Sequence, residues 1–87
     1  MRIKINGRVQ GVGFRYAVER TAKDLGLLGW VKNQPDGSVM SVVQGLNAKI
    51  DELVDRCQKG FGRSRVDEIQ VNPEPVDKKL AEFKIIF

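Results

Sequence analysis

The chain alternates between segments with the two-residue hydrophobic repeat of a strand and segments with the 3.6-residue repeat of a helix. The order of these segments constrains the fold more than any other feature of the sequence. Residues 1–6 alternate apolar and polar side chains, which predicts a strand with one face buried. From Phe14 onward the apolar residues recur every three or four positions, which predicts a helix that ends at Gly26. A second strand is predicted from Trp30 to about Asn33, so the chain begins with a β-α-β unit.

The second half of the chain repeats this order. Pro35–Gly37 combines a fixed φ with a flexible glycine and predicts a turn, so the third strand over Val39–Gln44 should form a hairpin with the second. Asn47 is expected to cap a second helix that stops at Gly60. The apolar stripe of this helix consists of Ile50, Leu53, Val54 and Cys57.

Two more strands are predicted over Val66–Val71 and Phe83–Phe87, giving the order β-α-β-β-α-β with a short extra strand at the end. This order predicts an α+β, ferredoxin-like sandwich, a single domain over residues 1–87 in which two helices cover one face of an antiparallel sheet. Right-handed crossovers place the third strand between the first two. The C-terminal ends of strands one and two then lie at the same edge, about 10 Å apart, so we expect the loop Gly7–Gly13 beside Asn33.

The composition excludes several kinds of catalytic site. The 87 residues contain no histidine, which removes the usual general base, the commonest zinc ligand and every Ser-His or Cys-His nucleophile pair. The single cysteine, Cys57, excludes an intramolecular disulfide, and its position on an apolar helix stripe indicates a buried structural thiol. An enzyme of this composition needs a substrate that is already reactive, and the net charge of +4 mildly favours an anionic one.

The loop Gly7–Gly13 is a candidate anion site, because glycines let the backbone approach an anion and the start of a helix presents free N–H groups. The loop lacks the third glycine of dinucleotide sites and the Gly-Lys-Ser/Thr of P-loops, and its glycine spacing alone also suits a tight strand-to-helix turn. Arg15 favours the anion site. A cation in the first helical turn is unfavourable because it opposes the helix dipole. A bound phosphate would remove this disadvantage, since it could accept two hydrogen bonds from the planar guanidinium group of Arg15.

Two other segments allow more than one interpretation. Asn33 precedes a Pro-Asp-Gly turn and can simply serve that turn, but opposite the loop its amide could instead hold a water molecule. Lys59–Gly62 matches the opening of an RNA-recognition signature, yet the match fails at Arg63–Arg65 and the third strand has no aromatic residue to stack a base. A helix stop followed by a loop is therefore expected at this point.

Two motifs carry a resemblance to a known family. Residues 7–15, Gly-Arg-Val-Gln-Gly-Val-Gly-Phe-Arg, resemble the first signature of the acylphosphatases, and residues 26–33 with Asp36–Val39 look like the second. Ser64–Asp67 is similar to a third, weaker stretch. The likeness covers almost the whole chain, and departures such as Gly60–Gly62 lie away from the motifs.

The resemblance implies an acylphosphatase, a hydrolase that cleaves the carboxylic-phosphoric anhydride bond of acyl phosphates without a metal. In this family the loop and its arginine bind the phosphate and an asparagine positions the attacking water. These roles map onto Arg15 and Asn33 as the catalytic residues. The residues expected to bind the phosphate, mainly through backbone N–H groups, are Val9, Gln10, Gly11, Val12, Gly13, Phe14 and Arg15.

The expected partners are an acyl phosphate as substrate and inorganic phosphate as product. No cofactor, metal, nucleic acid or membrane is expected, and the chain is expected to be a monomer. Without a long apolar run or a signal-peptide pattern, a cytoplasmic location is expected. The same domain occurs fused to larger carbamoyl-transfer proteins, but this chain is expected to be a free-standing enzyme. The alternative is a non-catalytic ferredoxin-like module that binds an anion, RNA or a protein.

Overall fold

The sheet has five strands, and its third strand separates the first from the second. The computed structural model describes residues 1–87, with β1 Arg2–Arg8, α1 Phe14–Asp24, β2 Leu28–Asn33, β3 Val39–Gln44, α2 Asn47–Lys59, β4 Arg65–Asn72 and β5 Phe83–Ile85. The strand order is β4-β1-β3-β2-β5. Strands β1 to β4 pair antiparallel, whereas β5 pairs parallel with β2, so the complete sheet is mixed rather than antiparallel. The predicted ferredoxin-like α+β fold with a short extra strand is confirmed.

Both helices pack on one face of the sheet, as the period-two pattern predicts. On β1, Ile3 and Ile5 are buried, while Lys4 between them lies on the opposite, open face with Trp30 of β2. Neither helix is long and apolar enough to cross a membrane. The buried core consists of Ile3, Ile5, Val9, Phe14, Val18, Ala22, Leu27, Val31, Val39, Val43, Ile50, Leu53, Cys57 and Phe83.

Helix α1 ends at the glycine that its sequence predicts. Gly26 has a φ of 72°, and its N–H donates to the carbonyl oxygen of Lys23 at 3.0 Å. The N–H of Leu27 donates to the carbonyl oxygen of Ala22 at 2.9 Å. These two bonds form a Schellman motif, which satisfies carbonyl groups that the end of the helix leaves free.

The prediction that Asn47 caps α2 is wrong. Asn47 is the first helical residue, and the N-cap is Leu46, whose extended backbone carbonyl accepts hydrogen bonds from Lys49 and Ile50. No side chain caps this end. The helix start is instead set by the apolar stripe that packs on the sheet, since tertiary packing supplies most of a helix's stability. The predicted stop at Gly60 is confirmed.

The ends of several strands differ from their predicted positions. Strand β1 continues to Arg8 instead of stopping at Asn6, so Gly7 belongs to the sheet, next to a register shift against β4. A Cβ atom at Gly7 would collide with a carbonyl oxygen of β4, so only glycine allows the two strands to pair here. Strand β5 stops at Ile85 instead of Phe87, while β4 is one residue longer at each end and β2 begins earlier.

Candidate active site

Three strands end at the same edge of the sheet, where α1 begins. Because β1 and β2 both run antiparallel to β3, and β5 runs parallel with β2, the C-terminal ends of all three coincide. The loop of residues 9–13 follows β1, and Asn33 is the last residue of β2. The N–H of Ile86 donates to the carbonyl oxygen of Val31 at 2.9 Å, which extends the β5 pairing beyond the strand itself.

A glutamine side chain ties the loop to the hairpin that follows Asn33. The Nε2 of Gln10 donates hydrogen bonds to the carbonyl oxygens of Gln34 at 2.8 Å and Ser38 at 2.9 Å. Both acceptors belong to the connection between β2 and β3. The amide therefore links the loop that follows β1 to the connection that follows β2. The loop and Asn33 are therefore neighbours in the structure.

The two ends of the loop are held by buried side chains. Val9 and Phe14 are each only 1% exposed and belong to the core. Between them the backbone turns through left-handed positions at Gly11, with φ of 72°, and Gly13, with φ of 77°. No atom lies within 4 Å of where a Cβ would stand at either glycine, so conformation rather than crowding requires glycine at both positions.

The backbone N–H groups of this loop are free. None of the N–H groups of residues 9–13 donates a hydrogen bond to another protein group. The first bond of α1 runs from the N–H of Ala17 to the carbonyl oxygen of Gly13 at 3.1 Å, so residues 14–16 contribute N–H groups without a helical acceptor as well. A run of free N–H donors at the start of a helix, here called the N–H cradle, is able to bind an anion.

Arg15 brings its positive charge to this run of donors. It lies in the first turn of α1, which contains no acidic residue, and it takes part in none of the ion pairs of the structure. Its Cζ atom lies 5.0 Å from the centroid of the Phe87 ring. Its guanidinium N–H groups are therefore not committed to a protein carboxylate, and they can bind an anion held by the loop.

Asn33 does not serve the turn that follows it. The turn is stabilised by Asp36, whose Oδ1 accepts hydrogen bonds from the backbone N–H of Ser38 at 2.9 Å and from its hydroxyl at 2.6 Å. Asn33 lies on the same face of β2 as the buried Val31, and its Oδ1 is buried without a hydrogen-bond partner. Buried amide oxygens ordinarily accept a hydrogen bond, and no protein group donates one to Asn33 Oδ1.

The carboxylate of the turn is neutralised away from the loop. The hydroxyl and backbone N–H of Ser38, together with the Lys4 ammonium at 3.1 Å, lower the pKa of Asp36 to about 2. Asp36 is thus ionised at any physiological pH, and its charge is balanced by a lysine on the open face of the sheet. This arrangement leaves the positive charge of Arg15 unopposed at the loop.

Other features of the structure lie outside this site. Burial raises the pKa of the Cys57 thiol to about 12, which agrees with its predicted structural role. No three histidine, cysteine or acidic side chains lie close enough together to hold a metal ion. Two surface pockets border Trp30 and Tyr16, but neither includes Arg15 or Asn33.

The structure brings the predicted loop close to Asn33, but the sequence does not predict the side-chain contacts of Gln10 and Phe87. The contribution of Gln10 was expected from its backbone, whereas its side chain makes the contacts that join loop and hairpin. The sequence predicts Phe87 only as the end of a strand. The alternation of Phe83, Ile85 and Phe87 was the one available signal, because period two places all three on the helix-covered side.

The fold and the loop together define an α+β sandwich with a run of free N–H groups at the start of its first helix. The sequence model of the acylphosphatase family matches residues 1–85. An acylphosphatase of Rubrobacter xylanophilus is 40% identical over 85 residues, which cover 98% of this chain and 77% of that protein. The chain belongs to the acylphosphatase family, and the prediction of its family and enzyme class is confirmed.

Solved structures agree with this assignment. The crystal structure of acylphosphatase from Bacillus subtilis superposes with a TM-score of 0.93 at 37% identity, covering 99% of this chain and 96% of that one. Full-length HypF in its phosphate- and nucleotide-bound form contains a similar region, with a TM-score of 0.80 and 34% identity. The alignment covers 99% of this chain but only 11% of HypF, so the likeness concerns one part of that larger protein.

Proposed function

We propose that this chain hydrolyses the carboxylic-phosphoric anhydride bond of acyl phosphates, with the phosphoryl group held by the loop and Arg15. A water oxygen attacks phosphorus, the bond from phosphorus to the acyl oxygen breaks, and the carboxylate leaves with the electron pair. A carboxylate is a good leaving group, so no general acid is needed, and a chain without histidine is suited to this reaction.

The observation that carries this proposal is the run of free N–H groups over residues 9–16 beside an unpaired arginine. In an in-line displacement at phosphorus, negative charge is spread over the equatorial oxygens. Donors that are already fixed around these oxygens stabilise that charge without reorganising during the reaction. Arg15 adds a planar fork that can bind two oxygens at once. Loop and arginine together supply the charge stabilisation, so the proposed reaction needs no metal.

Asn33 has the second role in this proposal. Its buried Oδ1 lacks a partner and lies at the edge of the sheet that the loop also reaches, so it is suited to accept a hydrogen bond from the attacking water. Fixing that water opposite the leaving carboxylate lowers the entropic part of the barrier. No titratable base is assigned to the step. The proton of the water passes to a phosphate oxygen of the substrate.

The form of the protein is part of the same proposal. We take it to act as a monomeric cytoplasmic domain on a small acyl phosphate, with no cofactor and no nucleic acid as partner. Size-exclusion chromatography with light scattering tests the monomer. A salt-sensitive RNA complex without any hydrolysis would favour the alternative of a binding module.

The experiment is an assay of acyl phosphate hydrolysis by the purified protein with a chelator present. The wild-type protein should release phosphate, and Arg15→Ala should lose turnover and affinity for inorganic phosphate by a factor of about a hundred or more. Arg20→Ala is the matched control, because Arg20 is an exposed arginine on the same helix. Undiminished hydrolysis by Arg15→Ala, or dependence of the wild type on a removable metal, would contradict the proposal.

A further inference from the structure

The Phe87 ring contacts the arginine of the candidate site. The Cζ of Arg15 lies 5.0 Å from the ring centroid, within the range of a cation–π interaction. Phe87 is 96% exposed, so burial of its own surface in the core does not hold it there. Its position must be explained by the backbone that carries it.

That backbone is an extension of β5. In the parallel pairing Ile85 lies opposite Val31, and the N–H of Ile86 bonds to the Val31 carbonyl oxygen, so the chain continues along β2. Phe87 is the second residue after Ile85, which is the last paired residue of β5. Period two then places Phe87 on the same side of the sheet as the buried Phe83, which is the side that α1 covers.

The type of contact decides what Phe87 can do for Arg15. A carboxylate partner would bind the N–H groups at the edge of the guanidinium and compete with a phosphate for them. An aromatic ring interacts with the guanidinium through its face and leaves the in-plane donors free. The structure shows the second arrangement, since Arg15 has an aromatic neighbour and no ion pair.

We propose that Phe87 is a positioning residue for Arg15, an inference that rests on the proposed function of the site. The ring restricts the rotamers of the long arginine side chain before the substrate arrives, so less conformational freedom is lost when the phosphoryl group binds. Phe87 itself forms no bond to the reacting atoms.

The test compares substitutions that keep or remove the aromatic ring. Phe87→Leu keeps an apolar side chain without a π face, and Phe87→Tyr keeps the ring. For Phe87→Leu we expect the KM for an acyl phosphate and the inhibition constant of inorganic phosphate to rise in parallel, by about two- to fivefold, the size of an exposed cation–π contact. The kcat and the Tm should be unchanged, and Phe87→Tyr should match the wild type.

The control and the remaining outcomes separate this inference from the proposed function. Val76, in the connection between β4 and β5, is also an exposed apolar residue. Val76→Ala should leave the KM and the inhibition constant of phosphate unchanged. Wild-type constants in Phe87→Leu, equal damage in Phe87→Tyr, or a lowered Tm in Phe87→Leu would each overturn the positioning role while wild-type hydrolysis still stands. A wild-type protein that neither hydrolyses acyl phosphate nor binds phosphate would instead overturn the proposed function.

Discussion

The side-chain amide of Gln10 donates a hydrogen bond of 2.9 Å to the carbonyl oxygen of Ser38, and so fastens the anion loop to the opposite hairpin. Its second bond, to the carbonyl oxygen of Gln34, fixes the orientation of the amide plane. The pairing of β1 and β2 with β3 sets the spacing of the two strands, and this side chain adds a direct link between the loop and the hairpin. The proposed mechanism requires the loop and Asn33 to act on the same phosphoryl group, so it depends on this link.

Replacing Gln10 should weaken both the fold and the reaction. Gln10→Ala removes two hydrogen bonds, for which we expect a loss of about 1 to 3 kcal/mol in the free energy of unfolding, measured by urea denaturation. Because the loop is no longer fastened to the hairpin, kcat/KM should fall by about ten- to a hundredfold. Gln70→Ala, at an exposed glutamine of β4, should change neither quantity. Wild-type kcat/KM in Gln10→Ala would show that the fastening is unimportant for catalysis.

Asn33 should affect turnover more than binding. If its amide orients the attacking water, Asn33→Ala should lower kcat by about a hundredfold while KM stays within about twofold of wild type. Steady-state kinetics with a simple acyl phosphate, together with the inhibition constant of phosphate, give both numbers. Asn72→Ala on the exposed end of β4 serves as the control. A large rise in KM with unchanged kcat would assign Asn33 to phosphate binding instead.

Alanine at two glycines should affect stability and activity to different degrees. At Gly29, with φ of 146°, a Cβ would collide with the Val42 carbonyl oxygen, so Gly29→Ala should cost about 3 kcal/mol or more in the free energy of unfolding. At Gly11, with φ of 72° and open space around it, alanine should cost only about 1 to 2 kcal/mol. The activity of folded Gly11→Ala should nevertheless fall further, because a Cβ disfavours the left-handed backbone and so shifts the Gly11 N–H, which we propose binds the phosphate. Urea denaturation and kinetics on the same samples would show whether the two effects separate.

Because of Asp36, the stability of the fold should change with pH in the acid range. The Ser38 hydroxyl, the Ser38 N–H and Lys4 hold its pKa at about 2 in the folded protein, below the ordinary value of 3.8. A group with a depressed pKa stabilises the fold above its unfolded value, and this contribution is lost as the pH falls from about 4 to about 2. The Tm difference between wild type and Asp36→Asn should therefore shrink over that range. A constant difference from pH 6 to pH 2 would rule out this linkage.

The sequence predicts the architecture well because the strongest signals are periodic. Alternation in β1 and the stripe of α2 determine which faces are buried, and together with right-handed crossovers they determine the strand order. The local residues that mark where a helix begins or ends are a weaker signal. Gly26 and Gly60 stop their helices as predicted, since left-handed backbone positions favour glycine, whereas Asn47 does not cap α2 because a cap contributes only about 1 kcal/mol and packing decides the helix start.

The site could be predicted only as far as chemistry is visible in single residues. Arg15 attracts attention because a cation at a helix N-terminus is unfavourable without an anion. Asn33 gains significance only from the arrangement of the strands and from the family motifs. The side chains of Gln10 and Phe87 act across 24 or more residues of sequence, through contacts that no local pattern specifies. Such contacts become visible only when the register of the sheet is known.

The parallel pairing of β5 with β2 also bears on the behaviour of this protein at high concentration. Without β5, β2 (Leu28–Asn33) would be an edge strand of the sheet. The backbone N–H and C=O groups of β2 that now face β5, including those next to Trp30, would then be unpaired. An exposed strand of this kind is a template for pairing with a second molecule and for aggregation. The segment that brings Phe87 to Arg15 therefore also covers that strand, so a cut or truncation before Phe83 should produce a protein that both binds phosphate less well and precipitates more readily.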